Sequence, residues 1–385
     1  MVYCGRQQKY DLFCVDLATL TMIDDSLSVK KVASIQAHGN HQEDDVYVDH
    51  AEYPKSLDDV PQAARDSERI GYDAHWVSET TGDPFVAAAV AATVTSKVGV
   101  GTNIAVAFAR NPMTVAASAS DIHRLSDGRF ILGLGTQVKA HITRRFSMPW
   151  SHPVARMREF VLAARAIWAH WNDGLPLDFE GEFYRHTLSS PVFMPSPNPH
   201  GSPPVFLAGV GKQMTEVAGE VADGFLAHTF TTPQYLRQVT LPALERGRAK
   251  RGRDLDDFVV SGVCNVLIDD DHFGRSLAKV KQQIAFYAST PAYRPVLELH
   301  GWSDLGEELH RLTVAKRWDS LAEAVDDEVV EAFAVIGTPD SLAQQVADRF
   351  GGALDRVTLG IYGEIEPGER EGILNALRAG RHRSR

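Results

Sequence analysis

The sequence predicts an α/β protein, a closed (β/α)8 barrel of the TIM type with insertions. Three observations predict it. Short apolar, β-rich runs alternate with helical patterns from about residue 44 onward, and there are eight such runs. The runs are continuously apolar rather than alternating, as in parallel strands buried on both faces. Eight such units in roughly 340 residues match the size of a closed barrel. A doubly wound open sheet shares much of this pattern and stays open at this level.

The candidate strands, in order, are Asp45–His50, Ala74–Glu79, Val98–Ala107, Phe130–Gly135, Pro204–Val210, Gly224–His228, Phe258–Ile268 and Arg356–Ile361. Helix starts stand between them. Asp83-Pro84 and Asn111-Pro112 each place a side-chain acceptor at the N-cap and a proline at the first helical position, where its missing N–H is not needed. Ser56 with Asp59 is a weaker box-like cap. From His152 to Asp173, Val154, Met157, Phe160, Val161, Ala164, Ile167, Trp168 and Trp171 follow helical spacing, which points to packing.

Two segments are too long to be plain connections. Residues 136–203 follow strand four, and residues 269–354 separate strands seven and eight. Long excursions on a barrel gather at the strand C-terminal mouth, where sites are built. Residues 1–43 stand outside the repeat as an N-terminal extension, with a possible strand pair at Tyr10–Leu17 and Leu27–Ile35. Residues 44–385 form the barrel domain.

Composition narrows the function. The chain has 385 residues, 44% of them hydrophobic, and a formal charge of −11 from 39 basic and 50 acidic residues. That balance disfavours nucleic acid and anionic membranes as partners and favours a small molecule. Cys4, Cys14 and Cys264 lie too far apart for a disulfide framework, zinc-type spacings are absent, and no metal is expected. Without a signal-peptide core or a membrane-length apolar run, the expected location is the cytoplasm.

Ser126 to His141 reads SDGRFILGLGTQVKAH. A dinucleotide fingerprint needs a third glycine where Val138 stands and a helix directly after, so that reading fails. In a barrel, Phe130–Leu134 is a buried strand. Gly133 and Gly135 then leave room at its mouth for a flat ligand, or serve close strand packing.

These residues resemble the fourth-strand signature of the luciferase-like monooxygenase superfamily. VGVGTNIAVAFARNPMTVA resembles its third strand and Arg-Asn-Pro helix entry, and PVFLAGVGKQMTEVAGEVADGFLAH resembles its fifth and sixth strands with the phosphate turn between. DFEGEFYR, AVIGTPDSLAQQV and DRVTLGI continue the likeness, which runs in consistent order over residues 44–365. It is greatest for the branch that uses the deazaflavin coenzyme F420. The resemblance implies an oxidoreductase that passes a hydride between F420 and a small organic substrate, with FMN-dependent monooxygenation or a catalytically inactive flavin-binding protein as the alternatives. It also implies a non-prolyl cis peptide at Asn103-Ile104 beneath the flavin-like ring, cofactor contacts at Gly135, Thr136, Gln137 and Ala208, and a homodimer.

Residue chemistry adds to this. Gly209-Val210-Gly211 precedes the helical run Lys212–Val221, so free backbone N–H groups and the helix dipole meet an anion there, and Lys212 adds charge. The phosphate of F420 or FMN fits that chemistry. A tight turn with no ligand is the plain alternative. His228 and Thr229, at the end of strand six, are coenzyme-tail candidates. Glu79, His50 and His141, at or after strand ends, are acid–base candidates, since a hydride acceptor develops negative charge that an acid stabilises. A glutamate there also serves as a structural partner, and a histidine as packing.

F420-dependent sugar-phosphate dehydrogenases carry an Asp-His pair after strand two and a glutamate after strand four. Here the matching positions read Glu79-Thr80 and Val138. The imidazole acceptor is missing, so reduction of an activated C=C or C=O suits these residues better than alcohol oxidation. Lys139, Arg144 and Arg145 form a basic cluster that faces an anion or simply solvent. Trp150, His152 and Pro153 either wall the pocket or anchor the core.

Overall fold

The computed structural model describes residues 46–363 and 365–380. In chain order the strands are β1 (Tyr47–Glu52), β2 (Ala74–Val77), β3 (Gly99–Thr102), its continuation β4 (Ala105–Val106), β5 (Phe130–Gly135), the hairpin β6 (Phe179–Glu180) and β7 (Arg185–His186), β8 (Val205–Gly209), β9 (Gly224–Ala227), β10 (Val259–Ile268), β11 (Ala334–Gly337) and β12 (Arg356–Tyr362). All pairings except the β6–β7 hairpin are parallel. They run β1-β2-β3-β5-β8-β9-β10-β12, and β12 returns to β1. The barrel is closed, and the open sheet is excluded.

All eight expected strands are present, with no end shifted by more than two residues. The third is interrupted after Thr102, and pairing with β5 resumes at Ala105. Beyond the short β6–β7 hairpin, one strand of the parallel sheet was not anticipated. Ala334–Gly337 pairs with the upper half of β10 and extends the sheet outside the ring. The proposed pair Tyr10–Leu17 and Leu27–Ile35 lies outside the described residues.

Helices cover the ring where their caps direct them. Asp83 accepts from the Phe85 N–H at 2.8 Å and Asn111 from the Thr114 N–H at 3.0 Å, opening Pro84–Val94 and Pro112–Leu125. Ser56 and Asp59 complete a reciprocal capping box. The helix Pro153–Asp173 buries Met157, Phe160, Ile167 and Trp168 against the barrel, the packing role its spacing indicates.

Inside the ring, Ala74, Trp76, Ile131, Phe206, Leu226 and Val259 fill the bottom, so the interior is a core and not a pore. The segment between β10 and β11 builds its own cluster from Val280, Ile284, Leu297, Leu309 and Phe333, joined by Phe230 from the loop after β9. That second cluster sits at the strand C-terminal end and shapes the mouth. Among the described residues, no helix is long and apolar enough to cross a membrane, and no group of metal-binding side chains is assembled. Cys264 is buried and unpaired.

Candidate active site at the barrel mouth

The irregular third strand is the centre of the mouth. Its Asn103-Ile104 peptide is cis, at the position the resemblance implied. Side chains replace the ladder bonds that the interruption removes. Thr102 Oγ1 donates to the Gly133 carbonyl at 2.7 Å and accepts from the Gly133 N–H at 3.0 Å. A Cβ on Gly133 would lie 1.8 Å from the Thr102 carbonyl oxygen, so this glycine serves strand contact and not ligand space. Gly135 faces Ile104, whose side chain would be 3.0 Å from an added Cβ.

Two further groups hold the bulge from β2. Ser78 Oγ donates to the Asn103 carbonyl at 2.8 Å. Glu79 Oε2 accepts from the Val106 N–H and from Arg110 Nη1, both at 2.7 Å, and Arg110 also reaches Asp83 at 2.8 Å. The Glu79 side chain is 5% exposed. A carboxylate oxygen committed to two donors acts as an anchor, so the geometry favours the structural alternative for Glu79 over acid–base work.

His50 is misplaced for chemistry. Successive strand side chains point to opposite faces, and Asp49 takes the inner one. His50 therefore turns outward to the helix Val60–Ile70, where its Nδ1 lies 3.0 Å from Ser67 Oγ and its ring tilts against Tyr72 at 5.3 Å. Burial lowers its pKa to about 4. His141 is exposed on the short helix Lys139–Arg144. The structure does not bring the three acid–base candidates to one point.

On the same rim, β8 ends in Gly209, and the helix Lys212–Val221 begins after Gly211 with no side-chain cap. A Cβ on Gly211 would meet no atom within 4 Å, so space opens directly at the helix N-terminus. Lys212 is exposed there. Ala208 is partly buried against the inner cluster. Tyr235 donates its hydroxyl to the Val210 carbonyl at 3.3 Å and steadies the turn. Thr136 and Gln137 follow β5 half-buried. Gln137 adopts φ 60°, and its side chain accepts from the Val138 N–H at 2.9 Å.

His228 is held by the insertion. Its Nδ1 accepts from the Phe230 N–H at 3.0 Å, and its ring stacks on Tyr293 at 4.6 Å and meets Tyr287 edge-on at 4.8 Å. Burial lowers its pKa to about 4, which keeps it neutral. Thr229 Oγ1 reaches Asn265 at 3.4 Å. Aromatic packing, not a free imidazole, occupies this part of the rim. Trp150 packs edge-on to Phe108 at 5.7 Å, which assigns it to the core. Arg145 donates to the Thr80 carbonyl at 2.7 Å, whereas Lys139 and Arg144 stay exposed.

Sequence reasoning missed Ser78, Thr102 and Arg110, which together shape the bulge. Ser78 stands two positions beyond the inward Trp76, so strand alternation was a usable signal. Tyr287 and Tyr293 carried none, because only folding of the insertion brings them to the rim.

These features define a (β/α)8 barrel enzyme whose working end lies at the C-termini of its strands. Residues 34–356 match the family model of luciferase-like monooxygenases, and the chain belongs to that family. An uncharacterized protein of Mycobacterium tuberculosis is 51% identical over 308 residues, covering 79% of this chain and 90% of that protein. A 5,10-methylenetetrahydromethanopterin reductase of Archaeoglobus fulgidus is 24% identical over 315 residues, covering 80% of this chain and 90% of the reductase. Among solved structures, the coenzyme F420 dependent tetrahydromethanopterin reductase from Methanopyrus kandleri superposes with a TM-score of 0.71 at 21% identity, over 87% of this chain and 98% of that one.

Proposed function

We propose that this enzyme transfers a hydride between coenzyme F420 and a small organic substrate, in the direction that reduces an activated C=C or C=O. The observation that carries the reading is the open space at Gly211, where an uncapped helix terminus and Lys212 share a rim with the bulge of β3. The coenzyme F420 dependence of the Methanopyrus kandleri reductase that this chain resembles supports the choice of coenzyme.

The residues present fit such a group. Free N–H groups at the start of Lys212–Val221, with the Lys212 ammonium, suit a phosphate. Asn103, Ile104, Gly135, Thr136, Gln137 and Ala208 would line the seat of a flat ring, and His228 and Thr229 would border the tail. When bound, reduced F420 supplies a hydride. The chain's own part is to hold the bulge through Ser78 and Glu79, orient the substrate and exclude water. We assign the mobile chemistry to a small molecule and make no membrane or nucleic-acid partner part of it; a homodimer working in the cytoplasm is the expected setting.

Equilibrium titrations with F420 and with FMN, read by fluorescence, test the coenzyme. Saturable F420 binding, together with oxidation of reduced F420 by a conjugated carbonyl compound, is the expected result. Retention of FMN with substrate-dependent oxygen uptake would replace it with monooxygenation. F420 binding without turnover on a broad panel would mark a binding protein.

A further inference from the structure

The hydride reading leaves the proton unassigned, because Glu79 is committed to Val106 and Arg110, His50 faces a helix and His141 is exposed. The rim between β9 and the insertion supplies another group. Leu226 belongs to the cluster inside the ring, and its Cδ1 would lie 2.8 Å from a Cβ on Gly133, the glycine that Thr102 clasps. Two residues on, His228 continues the same face beyond the end of β9, and the pairing of Ala227 with Gly209 sets it beside Val210. Its imidazole therefore stands in the mouth, one layer above the packed core.

The tautomer of His228 follows from its partners. Nδ1 accepts from the Phe230 N–H at 3.0 Å, so in the neutral ring the hydrogen sits on Nε2. Nε2 lies 3.2 Å from the Tyr293 hydroxyl, whose oxygen accepts that hydrogen. The hydroxyl's own hydrogen has no acceptor among the described residues. Tyr293 ends the turn Pro291–Tyr293, and its ring is clamped by His228 at 4.6 Å, Tyr287 at 5.6 Å and Phe230 at 5.7 Å. Tyr293 and His228 are both half-buried, so each keeps a side open. Burial keeps His228 neutral and raises the Tyr293 phenol to about 12, so at neutral pH the phenol keeps its hydrogen.

We propose that Tyr293 is the proton donor of this enzyme, that His228 is its positioning residue, and that the substrate is a neutral carbonyl compound whose oxygen takes the Tyr293 hydrogen. As hydride arrives from reduced F420, a C–H bond forms at the carbonyl carbon or at the carbon conjugated with it. The displaced π pair moves to the oxygen, and the Tyr293 O–H bond breaks as that oxygen is protonated. Water returns a proton to the phenolate, and F420 is left oxidised by the electron pair it gave. The His228 Nε2–H bond strengthens as charge grows on the Tyr293 oxygen, which lowers the barrier to the transfer. This inference rests on the hydride-transfer reading and names its proton donor and substrate class.

Infrared difference spectra of cyclohexenone, isotopically labelled at its carbonyl carbon and bound to the full chain with and without oxidised F420, test the contact. The bound C=O stretch is expected at lower frequency in the unaltered chain than in Tyr293→Phe, which keeps the stacked ring and removes the hydroxyl alone. With reduced F420, Tyr293→Phe is expected to lose about a hundredfold in kcat with KM within about twofold, as for a donor used in the transition state. His228→Phe keeps the stack without the Nε2–H and is expected to lose about tenfold in kcat. The same C=O stretch in the unaltered chain and in Tyr293→Phe, no bound cyclohexenone at all, or full turnover in either variant would overturn the proposal. Failure of F420 to bind is a separate outcome that removes the hydride reading, while the spectrum of the chain alone still decides whether Tyr293 meets a carbonyl oxygen.

Discussion

Arg356, at the start of β12, grips Asp49 of β1 with its Nε at 2.8 Å and its Nη2 at 2.7 Å, and Trp76 Nε1 donates to the same carboxylate at 2.8 Å. Asp49 is 1% exposed and Arg356 4%, and the pair lies where the last strand meets the first. Leaving either charge alone in the interior is costly. Arg356→Met is expected to destabilise the fold by about 3–5 kcal/mol. Urea denaturation of this variant beside Arg356→Met with Asp49→Leu provides the check: the double variant should lose less than the sum of the two single changes.

Glu79 separates a structural from a catalytic role. As an anchor for Val106 and Arg110, its replacement in Glu79→Gln should lower stability by about 1–3 kcal/mol, the scale for leaving a partner group unsatisfied. Arg110→Met should do the same, and the double variant should add little beyond either. A proton donor would behave differently: Glu79→Gln would then melt like the unaltered protein and lose turnover alone.

Gly133→Ala places a methyl group 1.8 Å from a backbone oxygen, which rotamer adjustment cannot relieve. A loss of about 2–4 kcal/mol, or failure to accumulate folded protein, is expected. Gly211→Ala has open space and should leave the melting temperature within about 2 °C. Thermal melts followed by circular dichroism distinguish the two glycines.

Stability should fall on mild acidification. His50 and His228 each have a pKa near 4 in the folded chain against 6.5 when unfolded, both lowered chiefly by burial. The unfolded chain then binds protons that the folded one refuses, so stability declines as pH drops from about 6.5 to 4 and the decline from these groups ends below that range. Urea midpoints across this window should fall, and His228→Gln should flatten the slope.

Lys212 lies at the uncapped helix terminus. If it meets the phosphate of F420, Lys212→Ala should weaken F420 binding about three- to tenfold at low ionic strength, and less at high salt because an exposed charge is screened. A fluorescence titration at two salt concentrations measures this, and a salt-independent loss would contradict a simple charge contact.

Much of the scaffold was legible before any coordinates. Each continuous apolar run became a barrel strand because only burial on both faces suits it, and Asp83 and Asn111 opened helices because their side chains satisfy N–H groups that nothing else can reach. Ala334–Gly337 was hidden: four residues are too few to display a period, and their pairing depends on the free edge of upper β10. His50 was misjudged because its strand was recognised without its face, and the strand runs two residues further, to Glu52. A shift of one residue decides between the mouth and the helix layer.

The sequence by itself determined the eight buried strands, their order along the chain and the helix that starts at Lys212, since these follow from burial and short-range backbone geometry, whereas the irregularity after Thr102 came only from the family resemblance and the closure of the ring from the structure. Only the tertiary structure decided that Glu79 belongs to Arg110 and Val106, that His50 faces a helix, and that Tyr287 and Tyr293 close on His228. Such contacts join residues far apart along the chain, and their partners exist only once the ring has closed and the insertion has packed against it.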